Sequence, residues 1–179
     1  GYGTNNVANN YHHSYMLGTI CWGFAGGRKE WLDFLRTDRF PAVEKYFATT
    51  PWGGSREGTG YGDSHQTLLM CWRLWRDGTG EDRTKSLPFV RRSIDYWIHA
   101  TAPSLKVLAP ISEQARVSMA PVFDYHRHLM LEAVNLSPGT EEARRGRWWL
   151  EACYPKMDLG MMYPYDTLDV RGEKTPPAV

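Results

Sequence analysis

Residues 64–80, Ser-His-Gln-Thr-Leu-Leu-Met-Cys-Trp-Arg-Leu-Trp-Arg-Asp-Gly-Thr-Gly, carry the pattern that decides the fold. Leu68, Cys71, Trp72 and Trp75 fall at i, i+3, i+4 and i+7, the spacing of one helix face. Asp77-Gly78-Thr79-Gly80 then stops the helix, since Gly adopts the backbone shapes that end one. The same signature recurs outward in both directions. Upstream, Leu17, Ile20, Cys21 and Phe24 repeat it and Ala25-Gly26-Gly27 ends it. Trp31, Phe34 and Leu35 start a short second helix, and Val43, Tyr46 and Phe47 another after Pro41, which suits a first turn. Downstream, Val90, Ile94, Trp97 and Ile98 form a stripe after Pro88, and Val122, Tyr125, His126 and Leu129 form the next. A last helix runs from Glu141 through Trp148 and Trp149 to about Cys153. No convincing strand alternation occurs. Residues 103–112 read as an extended connection punctuated by Pro103 and Pro110.

The expectation is therefore an all-α chain of stacked helical hairpins. Such hairpins build bundles, superhelices or closed α/α toroids, and pattern alone does not choose among them. No strict repeat is visible. The helical domain is expected over residues 1–165, with 166–179 as a mobile tail or linker. The chain begins at Gly1 without Met, which reads as a processed or excised piece of a longer protein.

Composition bounds the function. The 179 residues are 42% hydrophobic and 23% charged, a globular balance. No apolar run approaches the roughly 20 residues that span a bilayer. The formal charge of +1 argues against a partner held by bulk electrostatics, nucleic acid above all. It leaves room for a local pocket for an anion. Eight Trp and ten Tyr suit an aromatic core, and equally a cleft that stacks on sugar faces. Cys21, Cys71 and Cys153 are odd in number and lack CxxC spacing, so no disulfide framework is expected. Cys21 and Cys71 lie on apolar stripes and read as buried thiols.

Two loops carry chemistry. The first, Asn5-Asn6-Val7-Ala8-Asn9-Asn10-Tyr11-His12-His13-Ser14-Tyr15, leads into the first helix. Capping a helix takes one or two such residues, and this stretch supplies eight Asn, His and Tyr. The second runs from Trp52-Gly53-Gly54-Ser55-Arg56-Glu57-Gly58-Thr59-Gly60-Tyr61 to Gly62-Asp63-Ser64-His65. Its glycines permit either a flexible turn or close approach to a ligand, with Asp63 or Ser64 as a helix cap. It is no phosphate loop, because GxxxxGK[ST] is missing and no strand precedes it. Both loops sit at helix starts, which stacked hairpins gather on one face, so Asn10, His12, His13, Arg56 and Tyr61 are expected in one cleft.

Asn9-Asn10-Tyr11-His12-His13, followed some fifty residues later by Gly53 to Tyr61, resembles the α/α-toroid polysaccharide lyases of the heparinase II/III and oligo-alginate lyase type. The likeness covers about residues 5–75. It implies that the chain is part of an incomplete toroid. It implies β-elimination on a uronic-acid glycan, with Asn10 neutralising the carboxylate beside the C5 proton. Tyr61 would then be the acid and, with His12 or His13, the base. Asn9, Tyr11, Trp52, Arg56, Glu57 and His65 would bind substrate. The resemblance further implies an acidic polysaccharide or oligosaccharide partner, a β-rich domain in the same parent protein and a periplasmic or secreted location. No cofactor is expected, and no HExxH or comparable ligand spacing supports a metal site from His12, His13, His65 and His126. The sequence departs from the family pattern where Tyr11 separates Asn10 from the histidines. Successive residues on a helix point about 100° apart, so one histidine of the pair is expected to face the cleft.

Other readings stand beside this one. Glu57 and Asp63 could be the paired carboxylates of a toroid glycosidase, or Glu57 a structural acid. A non-catalytic carbohydrate-binding helical module would keep the aromatic cleft without needing the Tyr61 hydroxyl. His126 lies on an apolar stripe and reads as a satisfied core histidine. Arg91-Arg92 and Arg144-Arg145-Arg147 read as solvated helix faces.

Overall fold

The computed structural model describes residues 5–54, 56–112 and 120–153. The expected tail, 166–179, and the end of the expected domain, 154–165, lie outside the described residues. The chain is all-α. Its helices are α1 (Asn10–Ala25), α2 (Lys29–Phe34), α3 (Phe40–Phe47), α4 (Gly62–Thr79), α5 (Pro88–Ala100), α6 (Asp124–Leu136) and α7 (Glu141–Ala152). A two-residue strand, β1 (Val107–Leu108), pairs antiparallel with β2 (Ala120–Pro121).

Local chemistry sets the helix ends. Asn9 caps α1 by accepting the Tyr11 N–H at 3.0 Å, and Thr140 caps α7 through the Ala143 N–H at 3.1 Å. Gly80 closes α4 in the left-handed region, at φ 77°. Pro88 occupies the first turn of α5. The two short helices expected at Trp31–Leu35 and Val43–Phe47 are joined by a π turn, Leu35–Arg39. The cause is Pro41, which has no N–H to give the preceding turn. The ladder shifts register instead, and the Phe40 N–H reaches back five residues to the Leu35 carbonyl.

The core gathers Met16 and Ile20 of α1, Phe40, Val43 and Phe47 around α3, and Leu68, Cys71, Trp72 and Trp75 of α4. Ile94 and Trp97 of α5, Leu129 and Met130 of α6, and Trp149 of α7 complete it. Four tryptophans, Trp72, Trp75, Trp97 and Trp149, are fully buried, whereas Trp22, Trp31 and Trp52 are exposed.

Two expectations need correction. Of the stripe Leu17, Ile20, Cys21 and Phe24, α1 fully buries Ile20 and leaves Cys21 and Phe24 exposed. It turns His13, Met16, Ile20 and Gly23 toward its neighbours. Both faces of this helix are apolar, so periodicity does not choose between them. The choice falls to contact with its neighbours: α4 covers His13, Met16 and Ile20, and Gly23 lets Leu32 of α2 approach closely. Second, α4 packs mainly against α1 and α6, and meets α5, its neighbour in sequence, through ring contacts such as His65 with Phe89 and Trp97. Of the expected hairpins, α6–α7 forms one, while α5 rests on α6 and α7. Arg73 of α4, partly buried, locks the α4–α6 contact through the buried Glu132, at 2.6 Å.

Candidate active site

The Asn/His segment and the Gly-rich loop meet, and one carboxylate fastens them. Glu57 accepts the Asn10 backbone N–H at 3.0 Å and the Asn9 side-chain amide at 3.2 Å. It also accepts a short hydrogen bond from the Ser64 hydroxyl. A carboxylate there satisfies a first-turn N–H of α1 and complements the helix dipole. Both Glu57 oxygens are thereby engaged. The side chain works as a fastening between the loops, in keeping with the structural acid considered above. The Asp63 side chain lies outside what the structure describes. Ser64 is not the helix cap. α4 begins earlier, at Gly62, with Tyr61 at the capping position, and the Ser64 hydroxyl is turned to Glu57.

This fastening brings Asn10 to Tyr61. The Asn10 side-chain amide donates to the Tyr61 hydroxyl at 2.8 Å, across 51 positions of sequence. Tyr61 is half-buried. Tyr11 beside it is exposed, as is Arg56, and Trp52 is 76% exposed.

Both histidines of the pair are fully buried, 0% exposed each, so the expectation that one faces an open cleft does not hold. Their rings meet edge to face, 6.3 Å apart. His13 has Nε2 at 2.9 Å from the Val7 carbonyl and Nδ1 at 3.1 Å from the Ser64 carbonyl. It bridges the stretch before α1 to the start of α4. Burial pushes its pKa down to about 4, against the two carbonyls, with His12 repelling the charge further. His65, 3% exposed, sits among Phe47, Phe89 and Trp97. Burial, aided by His13, takes its pKa to about 3. Both rings are neutral at neutral pH.

The Gly-rich loop is no flexible turn. Gly53 has φ 79°, and a Cβ there would lie 2.3 Å from the Ser93 nitrogen of α5. Gly58, at φ 85°, presses against the Ile111 carbonyl just as closely. The Thr59 hydroxyl donates to the Ala109 carbonyl at 2.6 Å, and the Ser112 hydroxyl to the Arg56 carbonyl at 2.8 Å. From α6, the Tyr125 hydroxyl donates to the Gly60 carbonyl at 3.2 Å. His126 Nδ1 accepts the Phe123 N–H at 2.9 Å, so Nε2 carries the proton and donates to the Thr59 carbonyl, also at 2.9 Å. Burial pushes the His126 pKa down to about 4, against these two bonds. His126 is thus the satisfied core histidine its stripe suggested, and also the support under Tyr61's loop. Thr59, Ser64, Ser112 and Tyr125 complete that support. Sequence reasoning missed them in this role, because hydroxyls this far apart in sequence carry no shared spacing signal.

Among the described residues no group of three His, Cys, Asp or Glu is placed to hold a metal ion, and no helix is long and apolar enough to cross a membrane. No family model, curated protein or solved structure was found to match the chain. The functional reading therefore rests on the residues and their geometry.

Proposed function

We propose that this chain is the helical part of a polysaccharide lyase that cleaves a uronic-acid glycan by β-elimination. The single observation that carries the reading is the hydrogen bond from the Asn10 amide to the Tyr61 hydroxyl. It sets an amide donor and a phenol side by side at the meeting of two loops. The reaction needs that pair. The C5 proton lies α to a carboxylate and becomes acidic only when the carboxylate's charge is offset. An amide N–H aimed at the carboxylate stabilises the enolate dianion that forms as the proton leaves. The phenol serves as base and then as acid: as the phenolate, which a donated amide N–H favours, its oxygen takes the C5 proton, and the hydroxyl so formed gives that proton to the departing O4 and returns to the phenolate, so the proton passes from C5 to O4. His12 and His13 are enclosed and act from within: His13, neutral and so with a single N–H, donates to one of the two carbonyls it lies between, those of Val7 and Ser64, and packs the first turn of α1 on which Asn10 sits.

The glycosidase alternative loses ground, because both Glu57 oxygens are taken by three donors. The reading carries with it an acidic polysaccharide or oligosaccharide substrate, a β-rich domain in the same parent protein, an α/α toroid completed by further helices, and a periplasmic or secreted location. The test is incubation of the full-length protein with uronate polymers, following the ultraviolet absorbance of the unsaturated product. Product that disappears in Tyr61→Phe supports the reading. Reducing ends released without unsaturation would replace it with a glycosidase, and binding without cleavage would replace it with a carbohydrate-binding module.

A further inference from the structure

A cavity of about 390 Å³ is lined by residues next in sequence to the fastened loops, Ala8, Arg56 and His65, together with Tyr46, Thr50 and Trp52 among others. That volume is at the low end of small-ligand sites, roughly 300–1,000 Å³, and suits one or two sugar rings. Its place is fixed by the same devices that build the site. Ala8 is two residues before Asn10, and Arg56 immediately precedes Glu57, whose carboxylate holds the Asn10 N–H. Gly53, wedged against α5, aims the turn that carries Trp52.

The chemistry of the lining is specific. Trp52 presents an indole that is 76% exposed, a costly surface to leave in water and a flat platform for a sugar face. The Arg56 guanidinium has no acid partner among the described residues, and its only hydrogen bond there is through its backbone carbonyl. Many of the other arginines are spent on carboxylates, Arg73 on Glu132, Arg83 on Glu44 and Arg145 on Asp95 among them. A cation left over at the rim of a cavity, next to a stacking platform, matches a ring that brings its own negative charge. A guanidinium receives a carboxylate or a sulfate equally well, through two parallel N–H bonds.

We propose that this cavity is the subsite adjoining the scissile bond and that it selects sugar rings bearing an anionic substituent, a carboxylate or a sulfate ester, paired with Arg56 while the ring lies on Trp52. The position beside the bond rests on the lyase reading; the binding chemistry does not.

The test is calorimetric binding to the full-length protein carrying Tyr61→Phe, which keeps the probes intact. The probes are an unsulfated uronate tetrasaccharide, a sulfated heparin-type tetrasaccharide and a neutral cellotetraose. At least one anionic probe is expected to bind about tenfold or more tighter than the neutral one. Adding Arg56→Gln is expected to remove that preference, Arg56→Lys to restore it in part, and Trp52→Ala to weaken all probes together. Both side chains are exposed, so these variants are expected to fold. Preference for the uronate alone identifies a carboxylate, and preference for the heparin-type probe a sulfate; either supports the proposal. Equal binding of neutral and anionic probes, or binding unchanged by Arg56→Gln, overturns it. Arg56-dependent binding with no unsaturated product from the wild-type protein would leave the subsite standing and remove the lyase. Product formation with Arg56-independent binding would do the reverse.

Discussion

Three buried neutral histidines make the fold sensitive to acid in a calculable way. The ordinary histidine value is 6.5, and burial lowers His13 and His126 to about 4 and His65 to about 3. The folded state therefore binds fewer protons than the unfolded chain between pH 6.5 and about 4. Stability from these rings is fully present above the unfolded value and is lost as pH falls through that window. At about pH 5 each unfolded histidine is almost fully charged while each buried ring is still neutral, a difference of about 2 kcal/mol per ring. Relative to about pH 7 the three together remove about 5 kcal/mol, comparable with the whole stability of a typical domain, roughly 5–15 kcal/mol. Urea unfolding followed by tryptophan fluorescence reads this directly, since Trp72 and Trp97 are core residues. The unfolding free energy is expected to fall by about 5 kcal/mol from about pH 7 to about pH 5, with the m-value unchanged. His65 packs among three aromatic rings and its Nδ1 has no hydrogen-bond partner. His65→Leu should therefore remove about a third of the pH dependence. A loss below about 2 kcal/mol over that interval would refute the reasoning, because at least two of the rings would then be charged or solvated in the folded state.

Four further outcomes follow from the geometry. Tyr61→Phe abolishes release of unsaturated uronate, and Asn10→Ala lowers it by about 10²–10³-fold, with far-ultraviolet circular dichroism unchanged. Glu57→Leu leaves the Asn10 N–H and the Ser64 hydroxyl without their acceptor and destabilises by about 2–3 kcal/mol in denaturant titration, whereas Glu57→Gln costs less. Gly58→Ala forces a Cβ to within 2.3 Å of the Ile111 carbonyl at φ 85° and lowers the melting temperature by several degrees, roughly the effect of 1–3 kcal/mol. Arg73→Met strands the buried Glu132 carboxyl, costing about 3–5 kcal/mol, and the double variant with Glu132→Leu recovers most of the loss.

Much of the site was legible in the residues, and the part that was not has a physical cause. The convergence of Asn10 with Tyr61 follows from two polar loops placed at helix starts, and both starts do lie together. The exposure of the histidines was not legible. The 100° step between successive helix positions separates His12 from His13 only if one side of the turn meets solvent. Here the Val7 stretch and the start of α4 both close on His13, and His12, edge to face with it, is buried as well, so neither ring meets solvent. The role of Glu57 was open because a carboxylate's work depends on which donors surround it, and its three donors come from Asn9, Asn10 and Ser64, up to 48 positions away. Arg56 read as one polar group among several in its loop; its place with Trp52 at the rim of one cavity is a property of the folded surface.

By itself the sequence determined the helices, their stops and the all-α class, because 3.6-residue periodicity and Gly and Pro punctuation are local properties of the chain. It also marked the two loops, since so many Asn, His, Tyr and Gly residues exceed what caps and turns require. Tertiary structure alone decided the rest. It chose which face of α1 is buried, because both faces are apolar and only contact with its neighbours separates them. It set α4 mainly against α1 and α6, ahead of α5. It made the Gly-rich loop rigid, because the hydroxyls, the carbonyls and His126 that hold it come from segments up to 67 positions away. Periodicity is written in neighbouring residues; a hydrogen bond between distant ones exists only once the chain has brought them together.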